Sequence, residues 1–224
     1  MSRMREPRSV SIPVRGANLD GDLTVPGDAH GLVLFAHGSG SSRRSPRNQY
    51  VARVLQKAGI ATLLFDLLTS REEQEEYFTR HLRFDIGMLA GRLVEAAEWA
   101  ANRNDVASLE LGFFGASTGA AAALMAASRL EGQVKAVVSR GGRPDLAGDA
   151  LPEIRAGVLL IVGGDDDAVI GLNRDAFARL TCEKEMKIIP GATHLFEEPG
   201  ALEEVAKLAA HWFQSHLQIA HQSL

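Results

Sequence analysis

Short runs of almost entirely apolar residues alternate in this chain with longer amphipathic stretches, and this alternation limits the folds that the chain can adopt. The clearest runs are Gly31–Ala36 (GLVLFA), Ile60–Phe65 (IATLLF) and Val158–Val162 (VLLIV). A strand that is apolar at nearly every position is buried on both of its faces, which is typical of a parallel sheet covered by helices on each side. The pattern therefore predicts the α/β class, with a mostly parallel central sheet and helices on both faces.

The rest of the chain supplies further strands and helices for this plan. An opening hairpin is predicted from residues 10–14 and 19–25, with later strands at 109–114, 134–139 and 186–189. Helices are predicted at 50–58, 85–101, 117–130, 172–180 and 201–217. The charged segment 69–81 is interpreted as a solvated loop or helix. The connection from about residue 140 to residue 157 is too short for a large lid domain, so we expect an open, shallow site suited to small substrates.

Length and charge narrow the class of protein. With 224 residues, the chain is expected to form one domain over 1–224. Its formal net charge of −4 argues against nucleic-acid binding, and no apolar stretch approaches the ~20 residues of a membrane span. The arginine-rich N-terminus lacks the apolar run of a signal peptide, and the one cysteine, Cys182, cannot form an intramolecular disulfide. We therefore expect a cytoplasmic protein with no nucleic-acid or membrane partner, and the sequence leaves the oligomeric state open.

The strongest chemical signal is the pentapeptide Gly115–Gly119 (GASTG), which lies between a predicted strand and a predicted helix. G-x-S-x-G in a strand–turn–helix context is the pattern of a nucleophile elbow, a tight turn that holds a serine above the sheet. The glycines leave room where other side chains would collide. The pattern predicts Ser117 as a nucleophile; the alternative is a glycine-rich helix cap without chemistry.

A serine hydroxyl becomes a useful nucleophile when a histidine takes its proton and an acid orients that histidine. His194 follows the last predicted strand, where its loop is expected to open on the same edge of the sheet as the elbow. Asp165–Asp167 follow the preceding strand. A G-x-x-D-x-x-V spacing favours Asp166 as the acid, with Asp167 as the alternative. Three adjacent carboxylates could also bind a divalent metal, but no further ligands accompany them at suitable spacing, so no metal is expected.

The loop after the first buried strand, 37–42 (HGSGSS), is expected to help stabilise an oxyanion. We predict the backbone N–H groups of Thr118 and Ser39 as its donors, with Gly40 next after Ser39. Gly38 and Gly40 let the backbone approach a substrate closely. Arginines that follow the strands could bind a substrate carboxylate or phosphate, or could instead form ion pairs that brace loops; they are Arg43, Arg44, Arg47, Arg140 and Arg143.

With these residues the chain resembles the α/β-hydrolase family and, more narrowly, its dienelactone-hydrolase-like branch. The similarity extends over blocks such as HGSGSSRRSPRN, FGASTGAAAAL and PGATHLFEEPG. The resemblance implies an α/β-hydrolase fold and a nucleophile–acid–base set carried by Ser117, Asp166 and His194. Dienelactone hydrolases have a cysteine where this chain has Ser117, so the expected substrate is a small ester-like molecule rather than dienelactone itself. The distant Cys182 is expected to be a buried structural thiol.

Two other classes of function compete with a serine hydrolase. The segment from Gly31 to Asp66 imitates a dinucleotide-binding fingerprint, but the third glycine of G-x-G-x-x-G is replaced by Arg43. A hydrolase fold without activity could also serve as a binding module. The order Ser117, Asp166, His194 is that of the α/β-hydrolases, and it favours an enzyme that needs no cofactor.

Overall fold

The computed structural model describes residues 6–79 and 81–217, and these residues contain eight strands and six α-helices. The strands are β1 (Arg8–Val14), β2 (Ala17–Thr24), β3 (Gly31–Ala36), β4 (Ile60–Phe65), β5 (Glu110–Ala116), β6 (Val134–Arg140), β7 (Gly157–Gly163) and β8 (Lys184–Ile189). The helices are α1 (Pro46–Lys57), α2 (Ser70–Thr79), α3 (Ile86–Ala101), α4 (Thr118–Arg129), α5 (Asp167–Arg179) and α6 (Ala201–His216). Two 3₁₀ segments lie at Leu82–Phe84 and Pro144–Glu153.

The strands form one sheet in the order β1-β2-β4-β3-β5-β6-β7-β8. The β1–β2 hairpin is antiparallel and pairs through β2 with β4, and the six strands from β3 onward pair in parallel. The register aligns the carboxyl ends of the parallel strands, since Gly115 lies opposite Ala36 and Ala116 lies opposite Arg140. The loops that follow β3, β5, β6, β7 and β8 therefore open on one edge of the sheet.

Helices cover both faces of the sheet, as the continuous apolar runs predict. Helices α1 and α6 pack on one face over side chains such as Phe35 and Phe114, while α3, α4 and α5 pack on the other over side chains such as Leu34 and Phe113. Every residue of β3, β4 and β7 is buried. The predicted α/β class with a mostly parallel sheet is confirmed.

Several helix bounds differ from the prediction. Helix α1 begins at Pro46, four residues before the predicted start at Tyr50, because the Ser45 side chain accepts a hydrogen bond from the Asn48 N–H and proline occupies the first turn. Helix α5 begins at Asp167 rather than Leu172. The charged segment 69–81 contains helix α2.

The connection between β6 and β7 contains the short 3₁₀ segment Pro144–Glu153 and no lid domain, as predicted. The side chain of Cys182 is only partly buried, against the expectation of a buried thiol, and burial raises the pKa of that thiol. Across residues 6–79 and 81–217, every helix is too short or too polar to cross a bilayer. The first five residues and His221 lie outside the described residues.

Candidate active site

Ser117 lies in the turn between β5 and α4, in a backbone conformation that serine seldom adopts. Its φ of 52° and ψ of −124° point the residue out of the end of the sheet. The flanking glycines are required by close contacts. A β-carbon at Gly115 would lie 2.4 Å from the Cα of Ala120, and one at Gly119 would lie 2.2 Å from the carbonyl oxygen of Ala36. The GASTG segment therefore has the packing of a nucleophile elbow, with the glycines required by neighbouring backbone.

His194 and Asp166 are hydrogen-bonded to each other across two loops of this edge. The Nδ1 of His194 lies 2.7 Å from Oδ2 of Asp166, and the two side chains are 40% and 16% exposed. A backbone hydrogen bond of 2.9 Å from the Asp165 N–H to the Ala192 carbonyl holds the two loops together. The structure thus pairs Asp166 with the histidine, while Asp167 begins helix α5.

The loop after β6 connects the elbow to the histidine loop. The Ser117 N–H donates to the carbonyl of Arg140 at 3.3 Å, and the Arg143 N–H donates to the carbonyl of Ser117 at 3.1 Å. At Gly141, a β-carbon would lie 3.0 Å from the carbonyl oxygen of His194. Ser117 and His194 therefore both lie against residues 140–143. Among the described residues, neither the Ser117 Oγ nor the His194 Nε2 has a hydrogen-bond partner.

The predicted oxyanion loop packs directly on the elbow. A β-carbon at Gly38 would lie 3.0 Å from the Cβ of Ser117, and Gly40 has a φ of +68°. The Ser39 N–H donates to Oγ1 of Thr118 at 3.1 Å, and the two hydroxyls lie 2.9 Å apart. The Ser39 N–H, which the sequence predicts as an oxyanion donor, is thus already hydrogen-bonded to the side chain of Thr118. This contact depends on how two loops meet, so the sequence carries no signal for it.

His37 has a structural role in this loop. It is buried; its Nδ1–H donates to the carbonyl of Gly38 at 3.0 Å, while its Nε2 accepts from the Leu67 N–H at 2.9 Å. Burial lowers the pKa of the imidazole, which outweighs the raising effects of the Gly38 hydrogen bond and of Asp66. The neutral ring joins the ends of β3 and β4.

The five arginines predicted as possible anion-binding residues differ in their ion-pair partners. Arg43 contacts Asp66, Asp22 and Asp20, so its guanidinium braces the loop and is not free for a substrate. Two others have one partner each: the Arg143 side chain pairs with Asp145 at 2.8 Å, and the Arg47 side chain pairs with Glu197 at 3.0 Å.

Arg140 and Arg44 differ from these three. Within the described part of the chain, neither forms an ion pair. Arg140 is 8% exposed, and its Nε and Nη1 are buried without a hydrogen-bond partner among the described residues. Burial, together with the nearby charge of Arg47, lowers the pKa of Arg140 to about 10.

A cavity of about 540 Å³ lies beside the elbow. The cavity is lined by residues 37–42 and 44–47, by Thr118 next to the nucleophile, and by residues of the β4–α3 connection that include Glu73, Glu76 and Arg83. Ser117 and His194 are not among its lining residues. The β4–α3 connection thus lines a cavity beside the elbow, in a fold that has no lid between β6 and β7.

Two partly buried ion pairs hold the β4–α3 connection in place. Arg92 on α3 donates to both carboxylate oxygens of Glu72 at 2.5 and 2.8 Å, and it also donates to the carbonyl of Leu67. The hydrogen bonds from Arg92 lower the pKa of Glu72 to about 2. Burial alone would raise the pKa of Glu76, but hydrogen bonds from the Arg83 side chain and from backbone N–H groups outweigh it and lower the pKa.

Asp165–Asp167 are three carboxylates adjacent in the sequence. In residues 6–79 and 81–217, no group of three or more His, Cys, Asp or Glu side chains is arranged to hold a metal ion.

An eight-stranded, mostly parallel sheet with an elbow after β5 defines an α/β-hydrolase fold. The profile of the dienelactone hydrolase family matches residues 31–223, and the chain belongs to that family. The crystal structure of a dienelactone hydrolase from Anabaena variabilis is 57% identical; the match covers 96% of this chain and 100% of that chain, with a TM-score of 0.93.

Two Mycobacterium tuberculosis proteins, each named "Putative phosphoribosyl transferase", are 56% identical over 215 residues. The match covers 96% of this chain and 47% of each relative, so the chain spans about half the length of these curated relatives. Est1E from Butyrivibrio proteoclasticus is 16% identical, with a TM-score of 0.77 over 92% of this chain and 98% of that chain, and shares the fold. Family and fold together support a hydrolase.

Proposed function

We propose that this protein is a serine hydrolase that cleaves small ester-like substrates through an acyl-enzyme intermediate. The observation that carries the proposal is the 2.7 Å contact between Asp166 and the Nδ1 of His194, at the sheet edge where the strained turn presents Ser117. An imidazole whose Nδ1–H is bound by a carboxylate presents a basic Nε2. Family membership supports the same reaction class.

In the proposed reaction the Ser117 hydroxyl attacks the acyl carbon, and the Nε2 of His194 takes its proton. Collapse of the tetrahedral intermediate breaks the ester bond, and His194 returns the proton to the leaving alcohol. Water then attacks the acyl-enzyme with the same base, which regenerates the serine. Asp166 stabilises the imidazolium that forms in each half-reaction.

The negative charge on the intermediate needs N–H donors. The backbone N–H of Thr118, at the start of α4, is the first donor, and the partial positive charge at this helix end adds to its effect. The Ser39 N–H is the second. Because that group is bonded to the Thr118 hydroxyl at 3.1 Å, we propose that this hydroxyl turns away when the substrate oxygen enters. A small-molecule substrate, rather than a nucleic acid or a membrane, fits a cavity of about 540 Å³.

The names of the relatives set limits on this proposal. The Anabaena variabilis relative is named a dienelactone hydrolase, which agrees with the reaction class. The Mycobacterium tuberculosis relatives are named for phosphoribosyl transfer, but they are about twice as long as the matched region, so we do not carry that activity to this chain. A binding module without activity is the other candidate, and labelling of the serine distinguishes the two.

The test is labelling with a fluorophosphonate probe, with the modified residue located by mass spectrometry. We expect modification at Ser117, its loss in Ser117→Ala, and strong slowing in His194→Ala. The aspartates provide a matched pair, since they are adjacent and carry the same charge. We expect Asp166→Asn to lower kcat for an aryl ester by about 10³–10⁴-fold, while Asp167→Asn retains most of it. Unlabelled protein, or equal losses in the two aspartate variants, contradicts the proposal.

A further inference from the structure

Among residues 6–79 and 81–217, no carboxylate forms an ion pair with the buried cation Arg140. Its side chain is 8% exposed, and its Nε and Nη1 have no hydrogen-bond partner within the described part of the chain. A buried charge without a partner is strongly unfavourable, so such groups occur where something else neutralises them. Its own carbonyl accepts the Ser117 N–H, which places Arg140 directly beside the elbow.

A second arginine adds to this unfavourable charge. Arg47, in the first turn of α1, lies close enough to Arg140 for the two charges to repel each other, and its own Nε is buried without a partner among the described residues. The carboxylate that contacts Arg47 belongs to Glu197, whose side chain is 65% exposed. A pair of like charges with one solvated counter-charge is suited to receive an anion.

The cavity extends from Thr118, next to the nucleophile, to Arg47. Arg47 and Arg44 both line it, together with Ser45 and Pro46 at the amino end of α1. That helix end adds partial positive charge to the same wall. Arg140 does not line the cavity, and it contributes through the charge interaction with Arg47. The cavity also has two acidic lining residues, Glu73 and Glu76, and Glu76 pairs with Arg83.

We propose that the Arg44–Arg47 wall, backed by Arg140, binds a phosphate group carried by the substrate. This inference rests on the proposed hydrolase function and names its substrate class, an ester whose acyl or alcohol part bears a phosphate monoester. Of these three arginines, only Arg47 forms an ion pair within the described part of the chain, with Glu197, and Glu73 also lines the cavity. A phosphate monoester brings about −1.5 to −2 charges and three acceptor oxygens, whereas a carboxylate brings one charge. The phosphate can therefore accept hydrogen bonds from more of the guanidinium N–H groups of this wall than a carboxylate can.

The test compares three 4-nitrophenyl esters of similar length: a phosphate-bearing 4-(phosphonooxy)butanoate, the carboxylate-bearing succinate, and the neutral butanoate. We expect kcat/KM to be highest for the phosphate ester, about 10–100-fold above the neutral ester, which is the range expected of hydrogen bonds to a charged group. Arg47→Gln is expected to reduce this ratio by about 10-fold or more. Arg53→Gln is the matched control, because it removes the same charge from an exposed position of the same helix.

A binding measurement separates this inference from the proposed function. Inorganic phosphate, titrated calorimetrically into wild-type protein and into Ser117→Ala, is expected to bind both and to bind Arg47→Gln more weakly. If phosphate binds in this way and no ester is cleaved, the anion site stands and the hydrolase function fails. Arg140→Gln is expected to weaken phosphate binding as Arg47→Gln does. If Arg140→Gln does not fold, the result for Arg47→Gln decides the test.

Three results overturn the proposal. Equal preference for the succinate and phosphate esters shows that the wall binds anions without selecting phosphate. An equal effect of Arg47→Gln and Arg53→Gln shows that the wall does not contact the substrate. Absence of phosphate binding together with absence of any preference among the esters contradicts a phosphate site and leaves Arg140 with a structural role.

Discussion

Two glycines, each within a helix, should respond in opposite ways to the same substitution. Gly119 lies in the first turn of α4, where an added β-carbon would lie 2.2 Å from the carbonyl oxygen of Ala36 and 2.5 Å from that of His37. Gly171 lies in α5, where no atom lies within 4 Å of an added β-carbon. Alanine at Gly119 must push apart the elbow and the loop that carries Ser39, since both obstacles are backbone atoms.

The expected magnitudes follow from these contacts. Overpacking against rigid neighbours costs about 3 kcal/mol, so Gly119→Ala should lower Tm by about 6–12 °C in a chain of this length. Gly171→Ala removes conformational freedom from the unfolded chain and adds helix propensity, which should stabilise by about 0.5–1 kcal/mol and raise Tm by about 1–4 °C.

The assay is thermal unfolding of both variants beside the wild type, followed by fluorophosphonate labelling of each folded protein. Gly119→Ala should also label more slowly, because the serine and its oxyanion donors move apart, while Gly171→Ala should label at the wild-type rate. A Gly119→Ala protein that is as stable and as reactive as the wild type would refute the close approach of α4 to the end of β3. Loss of stability in Gly171→Ala would refute the open space around α5.

Two further predictions concern the dependence of stability on pH. Because Glu72 has its pKa lowered to about 2, its pair with Arg92 stabilises the fold above pH 4.5 and loses this effect as pH falls toward about 2. Glu72→Gln should therefore reduce the free energy of unfolding at pH 7 by about 1–2 kcal/mol, allowing for solvent screening, with a gap that closes in acid; a gap independent of pH contradicts this. His37→Phe leaves the Leu67 N–H without an acceptor and should destabilise by about 1–3 kcal/mol at pH 8. Since burial lowers the pKa of His37, wild-type stability falls as pH drops below 6.5, and urea unfolding at pH 5.5 should show a smaller gap between the two proteins than at pH 8.

The sequence predicts the core of the fold because burial on both faces leaves a direct mark on composition. The runs in β3, β4 and β7 are apolar and match the strands of the structure. The first residue of a helix is harder to predict where polar residues form the first turn. Arg47 and Asn48 resemble loop residues, and only the capping of Ser45 and the proline after it mark the start of α1.

The positions of Ser117, Asp166 and His194 follow from strand order, since parallel strands end at one edge. The partners of charged side chains do not follow from it. Arg43 contacts Asp66, whereas Arg140 has no partner among the described residues. The local sequence predicts neither result, because each depends on how separate loops pack. The same holds for the hydrogen bond between Ser39 and Thr118.

At Ser117, the backbone conformation that presents the reactive hydroxyl also lowers the stability of the fold. With a φ of 52° and a ψ of −124°, a side chain there costs of order 1–3 kcal/mol that glycine would spare. Stability alone would therefore favour glycine at position 117. Such a protein would be more stable but would lack the hydroxyl. Screens of this chain for heat resistance should accordingly enrich inactive proteins unless activity is selected alongside.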